Sequence, residues 1–179
     1  MRRRREQSHG HSVHFYESGR ELQRRVGSYL NEGILSGASV LAICTTGARL
    51  VLAETLGVTA TGTDGVKRYT ALDSRAFLPG VMKGQTPNWP AFRKSLAPLL
   101  AAAAAEDRPV RIYGDIVAQL WAAGAPGAAL ELEEFWNRLA SYHPFQLLCG
   151  YPLSLFRNRP ADLFLETCGT HDEVLVNAA

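Results

Sequence analysis

The run Ser39-Val40-Leu41-Ala42-Ile43-Cys44 decides the fold. It is apolar almost throughout, whereas a strand with one wet face alternates apolar and polar residues. Such a run suits a central strand buried on both faces, as in a parallel sheet covered by helices on either side. Upstream of it, Ser18 and Glu21 have the spacing of a capping box, so a helix is expected to start there. Leu22, Val26, Tyr29 and Leu30 fall on one face of that helix, which Gly33 or Gly37 can end. Downstream, Thr46 is expected to cap a helix that buries Leu50, Val51 and Leu52 and closes at Gly57.

Further outward, the same alternation of strand and helix repeats. Ser12 to Tyr16 reads as a short edge strand, Lys67 to Leu72 as a second strand ending at Asp73, and Val110 to Tyr113 as a third. Phe145 to Tyr151 is a fourth, buried strand stopped by Pro152, and Glu173 to Val176 suits an edge strand. Between them lie a helix opened by Pro90 and running into Ala101–Ala105, another over Ala128–Leu139, and a last one after Pro160. The stretch Gly84 to Trp89 reads as a loop, either a mobile lid or docking surface or a plain turn with a buried Trp89. The expected fold is a three-layer α/β domain with a mainly parallel central sheet flanked by helices. Residues 1–10 are expected to be a disordered basic N-terminus and residues 11–179 one domain.

Composition narrows the function. With 46% hydrophobic and 20% charged residues, the chain can build a packed core and is not a disordered type. Net charge is +2, or −2 without the four arginines Arg2 to Arg5, so the body carries no basic nucleic-acid-binding surface. The arginines are followed by polar residues rather than an apolar core, unlike a secretory signal, and no apolar run is long enough to span a bilayer. A cytoplasmic location is therefore expected. Cys44, Cys149 and Cys168 show no CxxC pairing and an odd count, which argues for reduced thiols. Cys44 and Cys149 sit in apolar runs, as small core residues do.

Catalytic signatures are missing. After Cys44 the chain reads Thr45-Thr46-Gly47-Ala48-Arg49-Leu50, without the lysine and second glycine of a phosphate loop, and no GxGxxG or GxSxG occurs. The protein is expected not to be an enzyme. The carboxyl ends of the strands, where ligands of parallel sheets bind, present Thr45 and Thr46, Asp73, Tyr113 with Asp115, and Tyr151. Asp73 and Asp115 are also placed to cap the following helices. Glu133 has Trp136 and Asn137 three and four residues on, on one helical face that either meets a polar site or packs the core. Cys168 and His171, with His11 or His14, are candidates for a metal or thiol site. A packed Cys168 and a His171 bonded to the backbone is the plainer alternative.

These pieces have a familiar order. His11 through Phe15-Tyr16, Gly114-Asp115-Ile116-Val117 with Leu120-Trp121, Leu132-Glu133 with Trp136-Asn137, Leu147 to Pro152, and Cys168 with His171 together resemble the MEDS domain, the methanogen/methylotroph sensory domain. The resemblance runs from about His11 to Val176. It implies a RecA-like α/β sheet without the phosphate loop, and a sensory role toward small molecules, including hydrocarbon derivatives. It also implies signalling through a partner such as a histidine kinase or an anti-sigma factor.

The leading expectation is a stand-alone sensor with no cofactor, its pocket built from Tyr16, Asp73, Tyr113, Asp115, Glu133, Trp136, Asn137 and Tyr151. The alternatives are a protein-interaction or dimerisation module without a small ligand, or a metal or thiol site using Cys168 and His171.

Overall fold

The computed structural model describes residues 10–58 and 68–175. The arginine run and most of the stretch between Gly57 and Lys67 lie outside the described residues. In chain order the structure runs β1 (Gly10–Tyr16), α1 (Gly19–Leu35), β2 (Ser39–Cys44), α2 (Thr46–Leu56), β3 (Tyr69–Asp73), α3 (Ser74–Gly80), β4 (Met82–Lys83) and β5 (Thr86–Pro87). It continues with α4 (Trp89–Ala105), β6 (Val110–Gly114), α5 (Ile116–Ala122), α6 (Pro126–Ala140), β7 (Gln146–Pro152), a 3-10 turn (Leu153–Phe156), α7 (Ala161–Gly169) and β8 (Glu173–Leu175).

Six strands form one parallel sheet in the order β3-β2-β6-β7-β1-β8, and β4 with β5 makes a small antiparallel hairpin. β2 is buried from Val40 to Cys44, as its unbroken apolar run requires. Helices cover both faces, which makes three layers. Alternation along the strands divides the core in two. Val13, Phe15, Ile112, Leu147, Cys149 and Tyr151 face α3 to α7. Val40, Ala42, Cys44, Tyr113 and Leu148 face α1 and α2.

Local chemistry explains most boundaries. Ser18 Oγ accepts the Glu21 N–H at 3.3 Å, the expected cap at the start of α1, while the Glu21 carboxylate accepts the Glu17 N–H, one residue ahead of the cap, at 3.1 Å. Gly57 ends α2 at φ 66°, a conformation glycine adopts without strain. Gly33 serves packing instead: a Cβ there would sit 2.9 Å from Arg111 Cδ and 3.1 Å from Val40 Cγ2, so only glycine lets α1 lie so close on the sheet.

Several expectations are corrected. β1 is not an edge strand, because β8 pairs along its outer side and β7 along its inner one. Thr46 does not cap α2; Thr45 holds that position, and the Thr46 hydroxyl donates to Asp73 instead. Leu50 and Val51 are exposed, at 57% and 38%, since the buried stripe of α2 is Leu52 and Ala53. The loop at Gly84 is the turn of the β4–β5 hairpin, and Trp89 is pinned, with Phe135 at 5.4 Å and the Arg138 guanidinium 4.3 Å over its ring.

Candidate functional site

α6 buries Ala129, Leu132, Glu133, Trp136 and Leu139, the spacing of one helical face. Glu131 and Glu134 fall off that stripe and are exposed, whereas Glu133 is carried straight under the sheet. β7 supplies Cys149 and Tyr151, two residues apart and therefore on the same face, and β1 supplies His11. His171, between α7 and β8, completes the group.

The Glu133 carboxylate is the hub. Tyr151 OH donates to Oε1 at 2.6 Å and Cys149 Sγ to Oε2 at 3.4 Å. His11 Nε2 lies 3.2 Å from Oε2 and His171 Nε2 3.4 Å from Oε1. Burial by itself would raise the Glu133 pKa, but the hydrogen bonds and positive potential of His11 and His171 together outweigh it and hold it well below the usual carboxylate range. Burial lowers the His11 pKa, yet the Glu133 contact overcomes this and the net shift is upward. The Cys149 thiol and the Tyr151 phenol are both pushed far up, first by burial and then by the Glu133 charge. A pocket of about 200 Å³, lined in part by His11, Trp136, Asn137 and Asp172, adjoins the group.

The other expected pocket residues lie elsewhere. Asp73, at the carboxyl end of β3, accepts the Arg75 N–H at 2.9 Å and pairs with Arg49 at 3.1 Å, so it does cap α3. Its pKa is lowered, first by the Thr46 hydroxyl. Asp115 does not cap its own helix. Its carboxylate turns to the neighbouring strand end, accepting the Thr45 N–H at 3.1 Å and Gln119 Nε2 at 2.7 Å, and burial raises its pKa. Tyr16 is half-buried nearby, its pKa raised to about 12 by burial and by Asp115. Tyr113 is buried on the α1–α2 face, opposite to Glu133 and Tyr151. Trp136 is a core residue, its ring 4.8 Å from Phe92 and 6.0 Å from Phe145.

The eight expected residues thus form two groups separated by the sheet. Tyr16, Asp73, Tyr113 and Asp115 gather at or near the carboxyl ends, while Glu133, Asn137 and Tyr151 gather beneath β1 and β7 and Trp136 packs beside them. Of the metal candidates, His11 and His171 join the second group, with ring centroids 4.1 Å apart. His14 is on the other face, beside Glu21 of α1, and Cys168 is only half-buried and outside the group. The apolar run around Cys149 marks it only as a core filler; its period-two relation to Tyr151 is the signal that places it beside Glu133.

At the carboxyl ends of β1 and β2, a cleft of about 370 Å³ opens between the first turns of α1 and α2. Leu22, Val26, Ala48, Val51 and Leu52 make its walls, Arg20 and Gln23 contribute polar groups, and Tyr113 also lines it. The Tyr113 hydroxyl is buried and has no hydrogen-bond partner. A hollow of about 330 Å³, lined by residues such as Gly10, Arg25, Glu32 and Glu173, lies at the amino ends of the strands, away from the usual ligand end of a parallel sheet.

No curated protein and no solved structure matches the chain. A family profile does, that of the methanogen/methylotroph, DcmR sensory domain, over residues 10–172. Nearly the whole chain is covered, both site regions lie inside the match, and the chain belongs to the MEDS family of sensory domains.

Proposed function

We propose that the chain is a non-enzymatic sensory module that takes a small, largely apolar molecule with one hydrogen-bonding group into the cleft between α1 and α2. Its occupancy would be passed to a partner protein, of which a histidine kinase or an anti-sigma factor is the expected kind. The observation that carries this reading is a largely apolar cleft of about 370 Å³ at the usual ligand end of the sheet, lined in part by Tyr113, whose hydroxyl is buried and unpartnered. Leaving a buried hydroxyl unpaired costs on the order of 1–3 kcal/mol, which a ligand hydroxyl would recover once α1 and α2 part enough to admit it to that atom. The cleft volume, about 370 Å³, suits a small organic molecule.

The route from cleft to partner is supported by how α1 and α2 meet. A Cβ on Gly27 would lie 2.8 Å from Thr55 Cγ2, so the two helices touch closely there, and Gln23 Nε2 donates to Thr55 at 3.1 Å. The cleft opens from this contact toward the helix starts. A ligand that binds more tightly when α1 and α2 are splayed would favour that arrangement over the closed one.

The test uses short-chain alcohols from propanol to hexanol, with binding followed by thermal shift and by native mass spectrometry. Ala48→Trp, which fills the cleft from α2, is expected to weaken binding by at least about tenfold, or 1.4 kcal/mol, with the circular dichroism spectrum unchanged. Tyr113→Phe should weaken alcohols but not alkanes of equal length. Alcohol binding that survives Ala48→Trp unchanged would contradict the cleft as the site.

A further inference from the structure

We propose that His11, Glu133, Cys149 and His171 form a closed site for one divalent transition-metal ion, zinc before others, joining β1, α6, β7 and the segment between α7 and β8. This is independent of the ligand cleft, which lies on the other side of the sheet.

Geometry comes first. The four donor atoms lie within 4.8 Å of one another; His11 Nε2, Cys149 Sγ and Glu133 Oε2 are 3.2 to 3.4 Å apart pairwise, and His171 Nε2 is 3.4 Å from the other carboxylate oxygen, Oε1. A tetrahedral zinc with bonds of about 2.0–2.1 Å to nitrogen and oxygen and 2.3 Å to sulfur spaces its ligands roughly 3.3–3.8 Å apart. His11, Glu133 and Cys149 are at about that spacing already, and His171 completes the set within 4.8 Å.

Proton placement makes the case stronger. Asn137 Nδ2 donates to the Thr170 carbonyl at 2.9 Å, which turns its Oδ1 toward His11. His11 Nδ1, 2.8 Å from that oxygen, must carry a hydrogen. His171 Nδ1, 2.6 Å from the Thr167 carbonyl, must do the same. In neutral rings both Nε2 lone pairs then point into a carboxylate, and His171 Nε2, on a wholly buried side chain, has no hydrogen-bond partner. A lone pair facing a carboxylate calls for a proton donor or a cation between them; the Cys149 thiol, 3.3 Å from His11 Nε2, can donate to that ring, whereas His171 Nε2 has no such donor. Protonating both rings supplies one, but leaves two positive charges against a single carboxylate in a buried site. A divalent ion with the Glu133 carboxylate and the Cys149 thiolate sums to zero, with both imidazoles neutral.

Binding would displace the Cys149 thiol proton and any proton on the imidazoles into solvent, forming the metal–sulfur bond without redox change. The carbonyl and amide oxygens behind each imidazole are the outer partners that metal-bound histidines commonly have. Four protein ligands leave no open position, so the ion would hold structure rather than activate water. The adjoining pocket beside His11 and Asp172 offers a route in.

The experiment is a titration of the chelator-treated full chain with Co²⁺, then with Zn²⁺. One Co²⁺ per chain is expected, with the intense visible bands of tetrahedral cobalt and a thiolate-to-cobalt charge-transfer band, all displaced by one equivalent of Zn²⁺. Cys168→Ser should behave like the parent, Cys149→Ser should lose the charge-transfer band, and Asn137→Ala should weaken binding by about 10–100-fold. The parent titration stands even if a cluster variant fails to fold. Absence of saturable binding, a weak octahedral spectrum, or a charge-transfer band lost in Cys168→Ser but kept in Cys149→Ser would each overturn the site.

Discussion

The two faces of the sheet handle buried polar groups in opposite ways. Beneath β1 and β7, toward α6, a carboxylate, two imidazoles, a thiol and a phenol crowd together, and nearly every polar atom has a neighbour. Across the sheet, toward α1 and α2, the buried hydroxyls of Tyr69 and Tyr113 have no hydrogen-bond partner, and Tyr113 lines an open, mostly apolar cleft. A buried charged network is costly to open, because removing any one member leaves the others unpaired in a low dielectric. An apolar cleft bordered by a residue with an unpaired buried hydroxyl gains when something enters and reaches it. The first arrangement suits a fixed clasp and the second a site that fills and empties.

That contrast sets an order of mutational effects. Glu133→Ala in metal-free protein removes the acceptor of Tyr151 and the counter-charge of His11, and should cost roughly 3–5 kcal/mol in urea unfolding. Its pH dependence follows from the shifts. Glu133 is depressed in the fold, so its contribution is present above its ordinary 4.5 and is lost as pH falls. His11 is raised, so its contribution is full below its ordinary 6.5 and is lost as pH rises through the folded value. Stability of the metal-free protein should therefore decline from about pH 6.5 toward alkaline pH, and Glu133→Gln should flatten the decline. An equally steep profile in that variant would break the assignment of Glu133 as hub.

Tyr151→Phe removes one short bond to a charged acceptor and should cost about 1.5–3 kcal/mol. Ser18→Ala, at the start of the helix that walls the cleft, should cost about 1 kcal/mol by freeing the Glu21 N–H. Tyr113→Phe should change stability by less than about 0.5 kcal/mol or raise it, because no protein partner is lost. If Tyr113→Phe proved as costly as Tyr151→Phe, the contrast between the faces would fail.

Much of the frame was legible in the sequence. The strand Ser39–Cys44, the Ser18 box and the Gly57 stop are local features, and local chemistry places them. The sequence of β1 suggests an edge because its outer neighbour, β8, is distant along the chain, and a strand's own pattern says nothing of who pairs with it. The candidate site was legible residue by residue but not as a group. In register Tyr113 stands beside Leu148, so it faces the side opposite to Cys149 and Tyr151. Register is set by the packed sheet, and one residue of it decides which face a side chain meets. The convergence of His11, Glu133, Cys149 and His171 similarly depends on β1 lying next to β7.

The most direct test of ligand sensing at the α1–α2 cleft is a two-dimensional NMR titration of the isotope-labelled protein with 1-butanol. The account predicts saturable shifts concentrated at Leu22, Val26, Ala48, Val51, Leu52 and Tyr113, with Glu133, Cys149 and His171 unmoved. Saturable shifts centred on α6 and β7, or no saturable shift at all, would contradict it.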